Sequence, residues 1–497
     1  MRSVTDDTPS DLDPRTPVLV GVGTCHDDAE AAELMARAVL AAGEDAGTDL
    51  LEAVDRLAVT KGTWSYTDPA RIVADRIGAT SAVTALYELG IPQQTTIDET
   101  LGALIAGDAD VALVCGGEAK ARDARLRSRS TQADADGLAT MVRGEGDAWE
   151  IDQGGVEPDV HRQPDGALVD PVEIEAGLWA PVDQYAMIEN ALGAAEDRTP
   201  DQLRDDIAAL HARFNLVARS NPEAAFPAPM DERHIRTFGS ENRPLSFPYG
   251  KWHVTQWTVD QAAALLLTTV EVAERAGVPR SRWVFPLVAL SSSHGQPLTQ
   301  RRAPHRWPAM AVLGEAAADR LGHPLADCDH ADLYSCFPVA VRVQQRELGL
   351  PLDASPTVTG GMAFAGGPFN NYVFQSTVAM VRRLREDGGR GLVTAVSGLL
   401  TKPGLAVWAT EPDGAPPLIA DLAGRAEAAS PSVPVRSGIS GEVTVVTWTV
   451  THEGQEAKEL VALVEDDDGT RGIARLDDPA LVARAMSDGL VGAPVVV

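Results

Sequence analysis

Apolar positions along the chain fall into short runs closed by Gly, Pro and polar turns. Pro17–Gly23 (PVLVGVG) is one such run, the pattern of a buried strand. Ala29–Gly47 is Ala-rich with helical spacing, and Val54–Thr60 reads as a second strand. Asp68–Ile77 and Thr95–Ala106 read as helices, and Val111–Cys115 (VALVC) as a buried strand before Gly116 and Gly117. Strand alternating with helix at this spacing predicts a layered α/β domain.

The same order returns later. Trp283–Leu290 reads as strand, Pro308–Leu321 as helix, Ala331–Phe337 as strand, Ser376–Glu386 as helix and Gly391–Ser397 as strand. Asp55 and Ser335, Gly116 and Gly398, and the helices at Ala29 and His305 are each separated by about 280 residues, which indicates an internal duplication. An irregular insert, 120–257, separates the halves. It opens with the basic run Lys120–Arg129 (KARDARLRSR), runs through a polar, acidic, Gly-rich stretch from Ala133 to Pro171, and includes a helical segment, Asp201–Arg219. Inserts of this length serve as lids or binding regions, or are disordered. After Thr410 come two Pro-rich, linker-like stretches, Glu411–Pro417 and Ser430–Pro434. Strand patterns then restart at Gly441–Thr451, Leu460–Val464, Thr470–Leu476 and Ala493–Val497, with a short helix at Pro479–Met486. The expected domains are therefore 16–292 (with the insert), 293–410, and 411–497 as a linker plus a small β-rich, OB-like domain.

Charge and cysteine content narrow the function. The chain has 497 residues and a formal charge of −30. So acidic a surface argues against general nucleic-acid binding and against attraction to anionic lipid. Four scattered Cys (Cys25, Cys115, Cys328, Cys336) form no CxxC pair and no disulfide framework. No apolar run reaches the ~18 residues of a membrane span, and the N-terminus lacks the apolar core of a secretory signal. A cytoplasmic protein is expected. Cys328-x-His330 lacks enough further ligands nearby for a metal site. Gly21-x-Gly23 lacks the third Gly and the ribose-binding acid of a dinucleotide site.

Several longer motifs resemble one family. Leu333–Phe337 (LYSCF), Thr357–Tyr372 (TVTGGMAFAGGPFNNY) and Thr401–Gly404 (TKPG) look like the thiolase superfamily, most of all the sterol-carrier-type thiolases and thiolase-like proteins of type 1. Trp64–Pro69, Ile105–Glu118 and Phe247–Ala264 agree, and Asp468–Ala474 (DGTRGIA) is similar to the extra C-terminal domain of the type 1 proteins. The resemblance runs from residue 16 to 497. It implies duplicated α/β halves, a loop-domain insert and the added β-rich domain.

Thiolases make and break a carbon–carbon bond beside a thioester carbonyl. The resemblance implies a nucleophilic Cys at a helix N-terminus, a second Cys as acid/base, and an Asn-bearing and a His-bearing loop that stabilise oxyanions. This chain departs from each motif. Leu89–Gln94 (LGIPQQ), before the Thr95–Ala106 helix, holds no Cys or Ser, and Cys115 further on reads as a core residue. Gly367 stands at the His position, in Gly366-Gly367-Pro368, and Ser397 stands at the second Cys position. Tyr334-Ser335-Cys336-Phe337 occupies the Asn loop. The catalytic candidates left are Tyr334 as acid/base, Cys336, and Asn371 as an oxyanion donor beside Asn370. Each also has a bland reading in packing or turn formation. For acyl-CoA the candidates are Arg125, Arg127 and Arg129 of the basic run, which attract phosphates unless they form only a solvated face, with His294, Gly366, Gly367 and Ser397 lining the pocket.

The expected function is a thiolase-like protein, related to acetyl-CoA acetyltransferases, that binds acyl-CoA in lipid metabolism and does not carry out ordinary cysteine-dependent thiolysis. The alternatives are a thiolase-like lyase that cleaves a C–C bond with Tyr334, and a binder with no catalysis. No permanently bound cofactor and no metal are expected; a coenzyme A thioester is the substrate or ligand. A homodimer through the thiolase-like core and a monomer both remain open.

Overall fold

The computed structural model describes residues 12–129, 150–166 and 168–497. Two mixed sheets carry the duplication. The first contains β1 (Pro17–Cys25), β2 (Arg56–Thr60), β3 (Val83–Tyr87), β4 (Val111–Ala119), β5 (Val160–Arg162) and β6 (Asp260–Thr269), ordered β1-β6-β4-β2-β3-β5. The second contains β7 (Phe285–Ser291), β8 (His330–Asp332), β9 (Arg390–Ser397), β10 (Lys402–Ala409) and β11 (Leu418–Asp421), ordered β11-β7-β10-β9-β8. The run β1-β6-β4-β2 is antiparallel, antiparallel, parallel, and β7-β10-β9-β8 repeats those directions. The repeat is thus visible in strand pairing, where residue identity between the halves is low.

Two helices, Gln93–Ala106 and Tyr372–Asp387, lie between the sheets. Ile97, Leu101, Leu104, Val373, Phe374 and Val378 share one buried cluster with residues of both sheets, among them Leu19, Val393 and Trp408. Ala31–Ala46 and Pro69–Ile77 cover the outer face of the first sheet, and Pro308–Leu321 and Pro338–Glu347 that of the second. Local signals set these helices. Asp68 caps the N-terminus of Pro69–Ile77 by accepting from Arg71 N, Pro69 starts the helix, and Gly78 ends it in the left-handed region.

The structure adds to the sequence reading and corrects it. β6 (DQAAALLLTT), a strand that reading did not give, shows no strand alternation because both its faces are buried, and its Ala and Leu residues favour helix equally well. The expected strand Ala331–Phe337 is only His330–Asp332, since from Leu333 the chain leaves the sheet. The basic run is the helix Lys120–Arg129 rather than a loop. Between the two linker-like stretches 411–417 and 430–434 the chain forms β11, parallel to β7, and the helix Ala423–Ala429 with Ala426 fully buried.

The C-terminal part is an open antiparallel sheet of β12 (Glu442–Glu453), β13 (Glu456–Glu465), β14 (Arg471–Leu476) and β15 (Pro494–Val496), ordered β14-β13-β12-β15, with the helix Pro479–Asp488. It is docked on the insert through β12. Asn190, on the insert helix Pro181–Ala195, donates to Trp448 O at 2.8 Å and Phe247 O at 3.1 Å. The Phe247 ring stacks on Trp448 with centroids 5.6 Å apart. Among the described residues, no helix is long and apolar enough to cross a membrane.

This docking generates a stability test. Trp448→Ala removes a fully buried ring from the seam and is expected to cost about 3–5 kcal/mol in urea denaturation. Val496→Ala, at a side chain 76% exposed, is expected to stay within about 0.5 kcal/mol.

Candidate functional site

The N-termini of the two central helices meet between the sheets. Gln93, in the first turn of Gln93–Ala106, accepts from Val373 N at 2.9 Å, so the start of one helix satisfies a donor at the start of the other. The next side chain, Gln94, donates to Asp98 Oδ1 at 2.8 Å. Beside them, a Cβ at Gly90 would lie 3.1 Å from Pro164 Cβ and 3.3 Å from Leu168 Cδ2. A Cβ at Gly398 would lie 3.3 Å from that same Leu168 atom. Insert residues therefore pack into the space between the turn that would hold a nucleophile and the loop that would hold the second acid/base.

The third position is closed from another direction. A Cβ at Gly367 would run into Thr255 Cγ2 and touch Met362 Cε at 3.0 Å. Three backbone bonds hold the wall in place: Thr255 N to Cys336 O at 3.0 Å, Gln256 N to Met362 O at 3.1 Å, and Gly367 N to Gln256 O at 3.0 Å. Gly366, at φ 94, is pressed in the same way by the Gln261 amide. Neither glycine leaves room for a longer side chain.

Tyr334 follows β8. Its N–H donates to Thr394 Oγ1 at 2.9 Å, its carbonyl accepts from Gln344 at 2.9 Å, and its ring meets Tyr372 edge-on with centroids 5.7 Å apart. Burial pushes its phenol well above the usual range, opposed by a hydrogen bond with Gln93. Tyr334 is therefore a proton donor at neutral pH and not a phenolate base. Burial likewise pushes the Cys336 thiol up to about 12, opposed by its hydrogen bond with Tyr185, and pushes Cys115 up to about 12. Burial thus disfavours at both sulfurs the thiolate that nucleophilic chemistry requires.

Asn371 caps the helix Tyr372–Asp387 without a side-chain cap bond. It is 1% exposed, and both atoms of its amide lack a hydrogen-bond partner among the described residues. Gly116 makes room for it, because a Cβ there would lie 2.7 Å from Asn371 Oδ1. Ser397 is buried, and its carbonyl accepts from Thr401 Oγ1 at 3.0 Å. His294 follows β7, with its N–H on Ser292 Oγ at 3.3 Å and its Nε2 unpartnered among the described residues. Arg125 ion-pairs with Asp28 at 2.8 Å and Asp260 at 2.9 Å. Arg127 is exposed on the same helix, and the Arg129 side chain lies outside the described residues. The structure thus brings Tyr334, Gln93 and the Asn371 cap to the paired helix starts, and sets the basic helix apart on the β4 end.

Sequence reading missed the polar groups inside this layer. Asp98 is in phase with Leu101 on the buried side of its helix, and an acid at a core position was the available signal. Burial pushes Asp98 up to about 7, and Glu118, which accepts from Thr63 N at 2.7 Å, up to about 7. A cavity of about 310 Å³ opens beside Gly90, Asp98 and Lys402.

Neither a family model nor a curated protein matches the chain. Solved structures do. A monomeric SCP2-thiolase-like protein type 1 from Mycobacterium smegmatis is 28% identical, with a TM-score of 0.79, over 98% of this chain and 97% of its own length. The Ltp2–ChsH2(DUF35) aldolase is 20% identical over 80% of this chain and 99% of that chain, with a TM-score of 0.58. Human mitochondrial 3-ketoacyl-CoA thiolase in complex with CoA is 16% identical over 81% of this chain and 100% of that chain, with a TM-score of 0.54. The last two show the layered fold alone.

Two outcomes follow from the site's packing and burial. Gly367→His is expected to destabilise the fold by about 1–3 kcal/mol through overpacking against Thr255 and Met362, and to create no thiolase activity. Asp98 and Glu118 hold protons when folded that they release when unfolded, because burial raises their folded pKa values to about 7, above the ordinary 3.8 and 4.5 of Asp and Glu. Their contribution to stability is therefore full below pH ~4 and is lost as pH rises through ~7. Urea midpoints measured from pH 5 to 8 should fall less steeply in Asp98→Asn/Glu118→Gln than in the parent chain; an identical slope would contradict the assignment.

Proposed function

Because the chain is an SCP2-thiolase-like member of the thiolase superfamily, we propose that it binds an acyl-CoA thioester without performing cysteine-dependent thiolysis. One observation carries this reading. At the three places where thiolysis would need Cys, His and Cys, the chain has the LGIPQQ turn, Gly367 and Ser397, and Leu168, Pro164, Thr255 and Met362 occupy the adjoining space. The remaining groups suit recognition of a carbonyl. Tyr334 kept protonated and the unpartnered Asn371 amide are donors that polarise a thioester oxygen when aimed at it. No coenzyme A is held permanently in this reading. The phosphates go to the helix Lys120–Arg129, the densest positive stretch of an acidic chain.

The lyase reading has less support. Acid/base cleavage through Tyr334 calls for an accessible phenolate, and burial opposes it. The likeness to an aldolase keeps a C–C cleavage assay worthwhile, with Tyr334→Phe as its control. Of the two oligomeric expectations the monomer is better supported, since β5 of the insert pairs along the outer edge of β3 and covers that side of the first sheet.

Calorimetry across a series of acyl-CoA chain lengths tests the proposal, with mass spectrometry of the same samples. Saturable binding is expected, with no acyl adduct on any Cys and no thiolytic turnover. A stable adduct on Cys115 or Cys336 would overturn the reading, as would the absence of binding across the series. Reversing Arg125 and Arg127 together to Glu is expected to weaken acetyl-CoA binding about tenfold, or about 1.4 kcal/mol. The loss should shrink at high salt. Unchanged affinity at low salt would return this helix to an ordinary solvated face.

A further inference from the structure

The cavity beside Gly90 holds a lysine that the proposed function leaves unused. Lys402 opens β10 and is 2% exposed. Its stem runs past Gly295, where a Cβ would lie 3.3 Å from Lys402 Cε. Its Nζ donates to Gly90 O at 3.1 Å and to Asp165 O at 3.2 Å. Two acceptors use two of the nitrogen's N–H bonds and leave its remaining position, an N–H in the ammonium and the lone pair in the amine, facing no acceptor among those hydrogen bonds. Burial lowers the ammonium's stability here, opposed by the charges of Asp165 and Asp421.

The same cavity is lined by Asp98, Glu99, Arg162 and Asp421. Three of these are already engaged. Glu99 accepts from Arg162 at 2.6 Å and from the Tyr87 hydroxyl at 2.8 Å, and Asp421 accepts from Ala423 N at 2.7 Å. Asp98 is only partly so: Gln94 donates to its Oδ1 at 2.8 Å, while its Oδ2, on a side chain 6% exposed, has no partner among the described residues. A buried amine with two acceptors and a buried carboxyl with a spare oxygen therefore line one cavity, closed on another side by Pro92, Ile419 and Ala420.

We propose that Lys402 forms an imine with a small uncharged aldehyde or ketone admitted to this cavity, with Asp98 as the proton donor. The Nζ lone pair adds to the carbonyl carbon, and the oxygen gains a proton as the nitrogen gives one up, forming a carbinolamine. The hydroxyl then leaves as water with the Asp98 proton, and an iminium stands beside an Asp98 carboxylate. Asp98 titrates near the pH of use, at about 7, which suits it to that transfer. An anionic carbonyl compound is disfavoured, because Asp98, Glu99, Asp165 and Asp421 outnumber Lys402 and Arg162 around the space.

The test is reductive trapping on the full chain. The chain has five lysines: Lys61, Lys120, Lys251, Lys402 and Lys458. With limiting propionaldehyde and cyanoborohydride as hydride donor at pH 7, peptide mapping should find Lys402 propylated several-fold faster than exposed Lys458, since burial favours the neutral amine at Lys402 and ion pairing with Glu456 favours the ammonium at Lys458. Asp98→Asn should slow labelling at Lys402 and leave Lys458 unchanged, and glyoxylate should label Lys402 less than propionaldehyde does. Lys402→Arg, which keeps donors for both carbonyls, should fold and lose the label. Labelling of Lys458 with Lys402 unmodified would overturn the proposal and leave Lys402 a structural tie between the Gly90 and Asp165 carbonyls. Equal labelling by the two aldehydes, or no effect of Asp98→Asn, would overturn the ligand class or the proton donor respectively.

Discussion

Two helices whose N-terminal turns are buried between two sheets impose the governing constraint. Each helix start leaves backbone N–H groups without an intrahelical partner, which a buried layer must satisfy from within. The chain meets this need by facing the two starts toward each other, so that Gln93 Oε1 takes the Val373 N–H. Everything nearby must fit around that meeting point. Gly90, Gly116, Gly367 and Gly398 lie there because neighbouring side chains or loops approach where a Cβ would be.

Burial then sets the chemistry. The same desolvation that holds Cys115 and Cys336 as inert thiols keeps Tyr334 protonated and raises Asp98 and Glu118 toward neutrality. The layered fold of the thiolase-like neighbour is present, and the groups at its paired helix starts are packed and largely neutral. Lys402 and Asp98 are among the ionisable groups that line the cavity beside the start of the Gln93–Ala106 helix.

The insert and the C-terminal sheet complete the packing. Leu168 and Pro164 press on the helix-start layer, while Asn190 and Phe247 tie the insert to β12. Arg471 of β14 donates to the carbonyls of Arg301 and Arg302, so the small sheet is also anchored to the second half. Parts that read as separate along the sequence therefore share one set of buried contacts.

The chain's own pattern determined the alternation of strands and helices, the duplication and the restart of strands after residue 434. These follow from local spacing and residue identity, which need no partner to be read; the positions where Cys and His would be expected came from the family resemblance. Tertiary structure decided the rest. β6 is a strand because both faces of DQAAALLLTT are buried, and β11 exists because β7 offers it an edge. Only folding brought Leu168 beside Gly398, Thr255 onto Gly367, and Lys402 into a cavity with Asp98. Those groups are far apart in sequence, and the desolvation that sets their protonation depends on what surrounds them, which no local pattern contains.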